Sequence, residues 1–390
     1  MQVTQESRQF DLLLTGGQVI DPASGVKGYF DVAFSGDRVT AIEPHIDPSL
    51  AKQLQPVDGA TVVPGLIDDH IHVCDGIGES ITPDLVGIAR GATTVADGGS
   101  CGTGNFGVFK AIMAANKTRI LAWLNISALG QTDTRIGECM FLPCLNVEEA
   151  VDMARGNPDT IVGFKARLSS YVAGNTAMPA LKLLLEAGEA AGLPVMIHVG
   201  DTGEPLGQIL NMLRPGDVVS HYLTSRKNGI LGIQWQPGAR IIPEAFAARQ
   251  RGVLLDIARG RNHLAFPIMQ AAVEQDLLPD TLSTDLTRFS FTDPYFSLPM
   301  LMTQFMSFGV SFEDLLPCVT VNPARLLRRP ELGKLQVGGI GDATLLEIEN
   351  GAFTLTDVDG RTRRADKRVV AVGIVRAGSY TAITPPPAGD

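Results

Sequence analysis

Eight apolar, strand-like runs alternate with amphipathic helical stretches between residues 61 and 287, and this alternation leaves the chain few folds to adopt. The runs are TVVPGLIDDHIH (61–72), ATTVADGG (92–99), RILAWLNIS (119–127), TIVGFKARL (160–168), PVMIHVGD (194–201), DVVSHYLT (217–224), VLLDIA (253–258) and TLSTDLT (281–287). A strand that pairs in parallel with its neighbour needs a crossover, and a helix is the usual one. Eight repeats therefore predict an α/β chain with a closed (β/α)8 barrel over residues 61–330, helices outside. FGVFKAIMAANK, NVEEAVDMARG and AMPALKLLLEAGEAAG are the clearest helical stretches, the last stopped by Gly192-Leu193-Pro194. The longer connection at 225–252 is expected to carry an insertion loop before a helix.

The two ends have another style. Residues 10–60 are short alternating segments broken by Gly-Gly, Asp-Pro and Ser-Gly-Asp, which mark hairpins, and the β pattern returns after 331. Residues 1–60 and 331–390 are expected to join in one small β-sandwich domain. The closing TPPPAGD gives no reason for order. A net charge of -10 without basic clusters argues against nucleic acid or an anionic membrane as partner. No apolar run approaches the roughly 18 residues of a membrane span, and MQVTQESRQFDLLL does not read as a secretory signal. Five irregularly spaced cysteines suggest no disulfide framework and fit a cytoplasmic protein.

Only six histidines are present, and four of them (His70, His72, His198 and His221) fall at the C-terminal ends of predicted strands, where barrels of this kind place their chemistry. Residues two apart on a strand point to one side, so His70 and His72 can converge on a single point. Lys165 interrupts the apolar run IVGFKA. A buried ammonium is costly, so its amine should shift its pKa or be modified; with CO₂ it would form a carbamate able to bridge two divalent cations. Asp285 follows LST in the eighth run. Taken singly, each has a plainer reading: a satisfied core histidine, an edge lysine, a helix N-cap. Their joint placement at strand ends favours a metal site. His45 reads as a surface loop residue, and His263, after the seventh run, as an exposed loop histidine that could touch substrate.

Through DLLLTGGQVIDPASG, PGLIDDHIH, the strand-end Lys165, His198, His221 and Asp285, and GKLQVGGIGDATLLEIE, the chain resembles the amidohydrolase superfamily of binuclear metallohydrolases over nearly its whole length. VGFKARLS, DGGSCGTGNF and LSTDLT make it similar to the dihydroorotase-like amidohydrolase/deacetylase branch. The resemblance implies one divalent ion on His70, His72 and Asp285, another on His198 and His221, and a carboxylated Lys165 and a hydroxide between them. Zinc is the expected metal, with manganese or cobalt as substitutes. Asp285 would carry the proton to the leaving group. The implied substrates are small carboxylate-bearing acyl amides or esters, such as N-acetyl-D-amino acids or O-acetyl 2-hydroxy acids, and the implied assembly is a homo-oligomer. Arg167, Ser100, Asn105, Arg288 and His263 are the residues expected to meet substrate, Arg167 lying on the same side of its strand as Lys165. Dihydroorotases carry an arginine two residues beyond the second histidine. Here that stretch is His72-Val73-Cys74, which weighs against dihydroorotase activity. Cyclic-amide hydrolysis of the dihydroorotase or hydantoinase kind is the second reading, and a non-catalytic scaffold on the same fold the third. Superfamily deaminases use one metal without a bridging lysine, so Lys165 disfavours them.

Overall fold

The computed structural model describes residues 9–387 except Thr134, Gln234, Pro237, Pro294 and Tyr295. Its centre is a curled sheet of seven parallel strands paired in chain order: β1 (Leu66–Ile71), β2 (Ala92–Asp97), β3 (Arg119–Asn125), β4 (Ile161–Arg167), β5 (Val195–His198), β6 (Val218–Ser220) and β7 (Leu254–Asp256). Every residue of β1 and β2 is buried, as expected of a parallel sheet covered on both faces. Outside, helices such as Val147–Arg155 and Ala177–Ala191 lay Ala150, Val151, Leu181 and Leu184 into the main apolar core. Inside, Ile67, Leu121, Trp123, Val162, Met196 and Val218 meet Leu326 and Leu327, which close the N-terminal end of the barrel. The opposite end is left to polar side chains.

The eighth run, residues 281–287, is not a regular strand. It still fills the gap between β7 and β1: Ile257 and Arg259 donate to the carbonyls of Thr281 and Ser283, while Asp285 donates to His70 and His72 to Leu286. The ladder is broken because TLSTDLT is rich in Thr, Ser and Asp, whose side chains compete for these hydrogen bonds. Asp256 accepts from the hydroxyls of Thr281 and Ser283, and Asp68 accepts from both the amide and the hydroxyl of Thr284. The buried Asp68 carboxylate thus stands in for a ladder partner at the Thr284 amide.

The first run also divides. Thr61–Pro64 belongs to a six-stranded mixed sheet, lying between Ala343–Thr356 and Gln18–Asp21, and the chain enters the barrel only after Gly65. Strands from both ends of the chain meet in this sheet. A four-stranded sheet that includes Phe10–Thr15 and Asp31–Ser35 packs on it through Leu12, Val32, Phe34, Val62, Leu345 and Val375. The long hairpin of Ala343–Thr356 and Thr362–Arg376 reaches across to the barrel. At its tip, Asp357 Oδ2 accepts from the Phe266 amide at 2.9 Å, and the Val358 amide donates to Leu264. Part of the closing tail expected to lack order packs against the protein, since Arg368 Nη1 donates to the Pro387 carbonyl; residues 388–390 lie outside those described. Among the described residues no helix is long and apolar enough to cross a membrane, and all five cysteines are free.

Candidate metal centre

His70 lies near the end of β1 and His72 just past it; Lys165 lies in β4, His198 ends β5, His221 follows β6 and Asp285 sits in the irregular eighth segment. The fold brings all six together. Asp285 Oδ1 stands 3.1 Å from His72 Nε2 and 3.7 Å from His70 Nε2, and its Oδ2 stands 4.0 Å from His221 Nε2. Lys165 Nζ is 3.1 Å from His70 Nε2. Two groups of possible ligands result, His70–His72–Asp285 and His198–His221–His263, the ligand atoms within each lying within 4.8 Å of one another. His221, Ala258 and Asp285 adopt left-handed backbone conformations (φ 69°, 38° and 47°), which cost side-chain-bearing residues free energy and gather where a site holds them in place.

The hydrogen bonds fix which ring nitrogen of His221, His72 and His70 is free. His221 Nδ1 lies 2.6 Å from the Ala258 carbonyl, which can only accept, so Nδ1 carries the proton and Nε2 a lone pair. Ser100 Oγ donates to Asp97 Oδ2, so toward His72 Nδ1, 2.8 Å away, it accepts. That leaves the His72 Nε2 lone pair facing Asp285. His70 Nε2 faces the Lys165 amine, while its Nδ1 sits between Ser220 Oγ (3.2 Å) and Asp256 Oδ2 (3.3 Å). Nε2 of His198 and of His221 is buried without a hydrogen-bond partner. Buried lone pairs without donors are what a divalent cation satisfies, and outer carboxylates, hydroxyls and carbonyls of this kind hold imidazoles in the ligating tautomer. The residues fit a metal.

Burial sets the protonation states. It pulls the imidazoles of His70, His198 and His221 well below their ordinary value, and that of His263 to about 4, so all four are neutral at pH 7. Burial also brings the Lys165 amine down to about 7, against the pull of Asp285 and Asp256. An amine titrating there is substantially neutral at physiological pH, as reaction with CO₂ requires. Burial alone would raise Asp285, but the neighbouring imidazoles of His72, His70 and His263 outweigh it and hold the carboxyl below its ordinary value. Two close approaches leave no space for a side chain after β2. A Cβ on Gly98 would lie 2.2 Å from His70 Cδ2, and one on Gly99 2.6 Å from Lys165 Cγ.

The residues expected to meet substrate are placed differently. Ser100 is buried and spent on His72 and Asp97. Asn105 holds its own loop, accepting from Gly102 and donating to Leu129 and Thr132. Arg288 is exposed and lies over the Phe289 ring. Arg167 gives Nε and Nη2 to Glu138, both at 2.7 Å, so two of its three guanidinium nitrogens are already engaged. His263 is not an exposed loop residue: it is buried, with ring centroids 4.1 Å from His221 and 4.8 Å from His198. Sequence reasoning missed Asp256 and Asp97. Each is the acid that closes its strand, ATTVAD and LLD, a strand-end position of the kind that picked out His198.

The amidohydrolase family model matches residues 61–375. The chain belongs to the amidohydrolase family. By that membership it is a hydrolase acting on carbon–nitrogen bonds. It is 31% identical to a deacetylase of Brucella anthropi over 312 residues, 79% of this chain and 77% of that one. To a deacetylase of Agrobacterium fabrum it is 29% identical over 361 residues, 91% and 88% of the two chains. Among solved structures it resembles one described as an adenine deaminase (TM-score 0.89, 28% identity, 96% of this chain and all of that one). Another, described as a dihydroorotase, matches with TM-score 0.88 and 27% identity over the same shares. The amidohydrolase membership and the two histidine-rich groups agree with the expected metal-dependent hydrolase.

Proposed function

We propose that the protein is a binuclear metal-dependent deacylase that cleaves the acetyl amide or ester of a small carboxylate-bearing compound. The observation that carries this reading is the convergence of four buried imidazoles, Asp285 and a wholly buried Lys165 on one end of the barrel. The deacetylase relatives support the acyl-transfer chemistry. His70, His72 and Asp285 would hold one ion, zinc by preference for this donor set, and His198 and His221 the other, with carboxylated Lys165 between them. Two such ions lower the pKa of water and polarise the scissile carbonyl.

The chain's own groups do the rest. Asp285 lies between the two histidine groups and is ionised, so it can take the proton released as water adds to the carbonyl carbon and return it to the departing nitrogen or oxygen. Ser100, Ser220, Asp256 and the Ala258 carbonyl keep the imidazoles from turning. Arg167, fixed by Glu138, meets the substrate carboxylate through Nη1. Zinc-loaded protein with bicarbonate should hydrolyse members of a panel of N-acetyl-D- and N-acetyl-L-amino acids and O-acetyl 2-hydroxy acids, and the Lys165→Ala variant should not. Cleavage of dihydroorotate alone would move the protein to the cyclic amidases, the second reading, and inactivity on every compound would refute the deacylase assignment.

A further inference from the structure

His263 is a histidine that neither the strand pattern nor the family resemblance uses as a ligand, yet its ring closes a triangle with His198 and His221. The three ring centroids are 4.1–4.8 Å apart, all three side chains are buried, and one ligand nitrogen from each lies within 4.8 Å of the others. His263 Nδ1 is 3.3 Å from Thr224 Oγ1, the kind of outer partner that leaves Nε2 available. The loop is fixed in place: the tip of the C-terminal hairpin holds Leu264 and Phe266, and the Arg259 and Gly260 amides donate to the eighth segment.

We propose that His263 is a third imidazole ligand of the ion held by His198 and His221, so that this ion is retained whether or not Lys165 is carboxylated. The proposal rests on the binuclear reading above. Two imidazoles and a labile carbamate would make occupancy depend on CO₂. Three imidazoles are a complete protein ligand set for an open zinc site, leaving one position for water or substrate. The two sites then differ in charge: His70, His72 and Asp285 form an anionic set, and the three histidines a neutral one.

The test uses chelator-stripped full-length protein in CO₂-free buffer, titrated with cobalt(II) by calorimetry and by the ligand-field absorption of the bound ion. The Lys165→Ala variant should still bind tightly the ion at His198, His221 and His263. Adding His263→Ala, or the bulkier His263→Gln to guard against collapse of the loop, should weaken that ion at least about 100-fold. Loss of a ligand should exceed the 10- to 100-fold usual for an outer partner. His263→Ala alone should hold the ion at His198 and His221 more weakly than wild type and with an altered spectrum, the deficit being largest before bicarbonate restores the carbamate. If His263→Ala binds two ions with wild-type affinity and spectrum in CO₂-free buffer, His263 is no ligand and the proposal falls while the binuclear reading stands. If wild-type protein binds no stoichiometric ion, the binuclear reading falls and takes the proposal with it.

Discussion

Gly98 offers a clean perturbation, because a single methyl group added there aims at one ligand. A Cβ built on Gly98 lies 2.2 Å from His70 Cδ2 and 2.6 Å from Nε2, whereas ordinary contact begins at 3.4 Å. The imidazole must therefore retreat by about 1.2 Å, the difference between those distances. It has little freedom to do so, being held by Ser220 and Asp256 on one edge and Lys165 on the other. Overpacking of this kind costs roughly 1–3 kcal/mol of stability, and a displacement of about 1 Å at a reacting centre costs about 100-fold in rate. Gly98→Ala should thus remain folded, with a melting temperature lowered by several degrees, while binding the ion at His70 and His72 more weakly and turning over about 100-fold more slowly. Calorimetric metal titration, differential scanning calorimetry and a turnover assay measure these quantities. A Gly98→Ala protein with both ions at wild-type affinity and turnover within twofold of wild type would refute the placement of His70 against this loop.

Other expectations follow from particular contacts. Ser100→Ala removes the acceptor for His72 Nδ1 and should weaken metal binding about 10- to 100-fold by calorimetry. Glu138→Gln loosens the fork that fixes Arg167, and Arg167→Lys removes its geometry; both should raise KM for a carboxylated substrate several-fold more than they lower kcat. Asp84 is raised by burial but lowered more by bonds from the amides of Lys117 and Thr118 and the Thr118 hydroxyl, for a net depression. Its contribution to stability is therefore present above the unfolded carboxyl value and lost as pH falls through the lower folded one. Chemical unfolding should find Asp84→Asn less stable than wild type at pH 7, with the gap closing toward pH 3.

The parts of the site legible in the sequence were those set by a single strand. His70 and His72 follow from the two-residue period of a strand, and Lys165 from a charge in an apolar run. What could not be read depends on chain segments meeting from far apart. Ser100 looked like a substrate donor because nothing local shows that the loop after β2 folds back onto His72. The segment that follows His263 is held by a contact between Asp357 and Phe266, 91 residues apart. The eighth strand failed for a local reason: TLSTDLT has the length of a strand, but its hydroxyls and acid bond to Asp256 and to β1 rather than leaving the backbone to a ladder. The same alternation that marked the barrel also hid its first boundary, since Thr61–Pro64 and β1 run on as one apolar stretch and only the pairing partners separate them.

The central claim, that this end of the barrel is a two-ion centre, is tested most directly by anomalous diffraction at the zinc edge from crystals of zinc-loaded protein. The account predicts two peaks roughly 3.5–4 Å apart, the spacing of two-metal sites, one among His70, His72 and Asp285 and the other among His198, His221 and His263. A single peak, or zinc bound elsewhere with these six side chains unliganded, would contradict it.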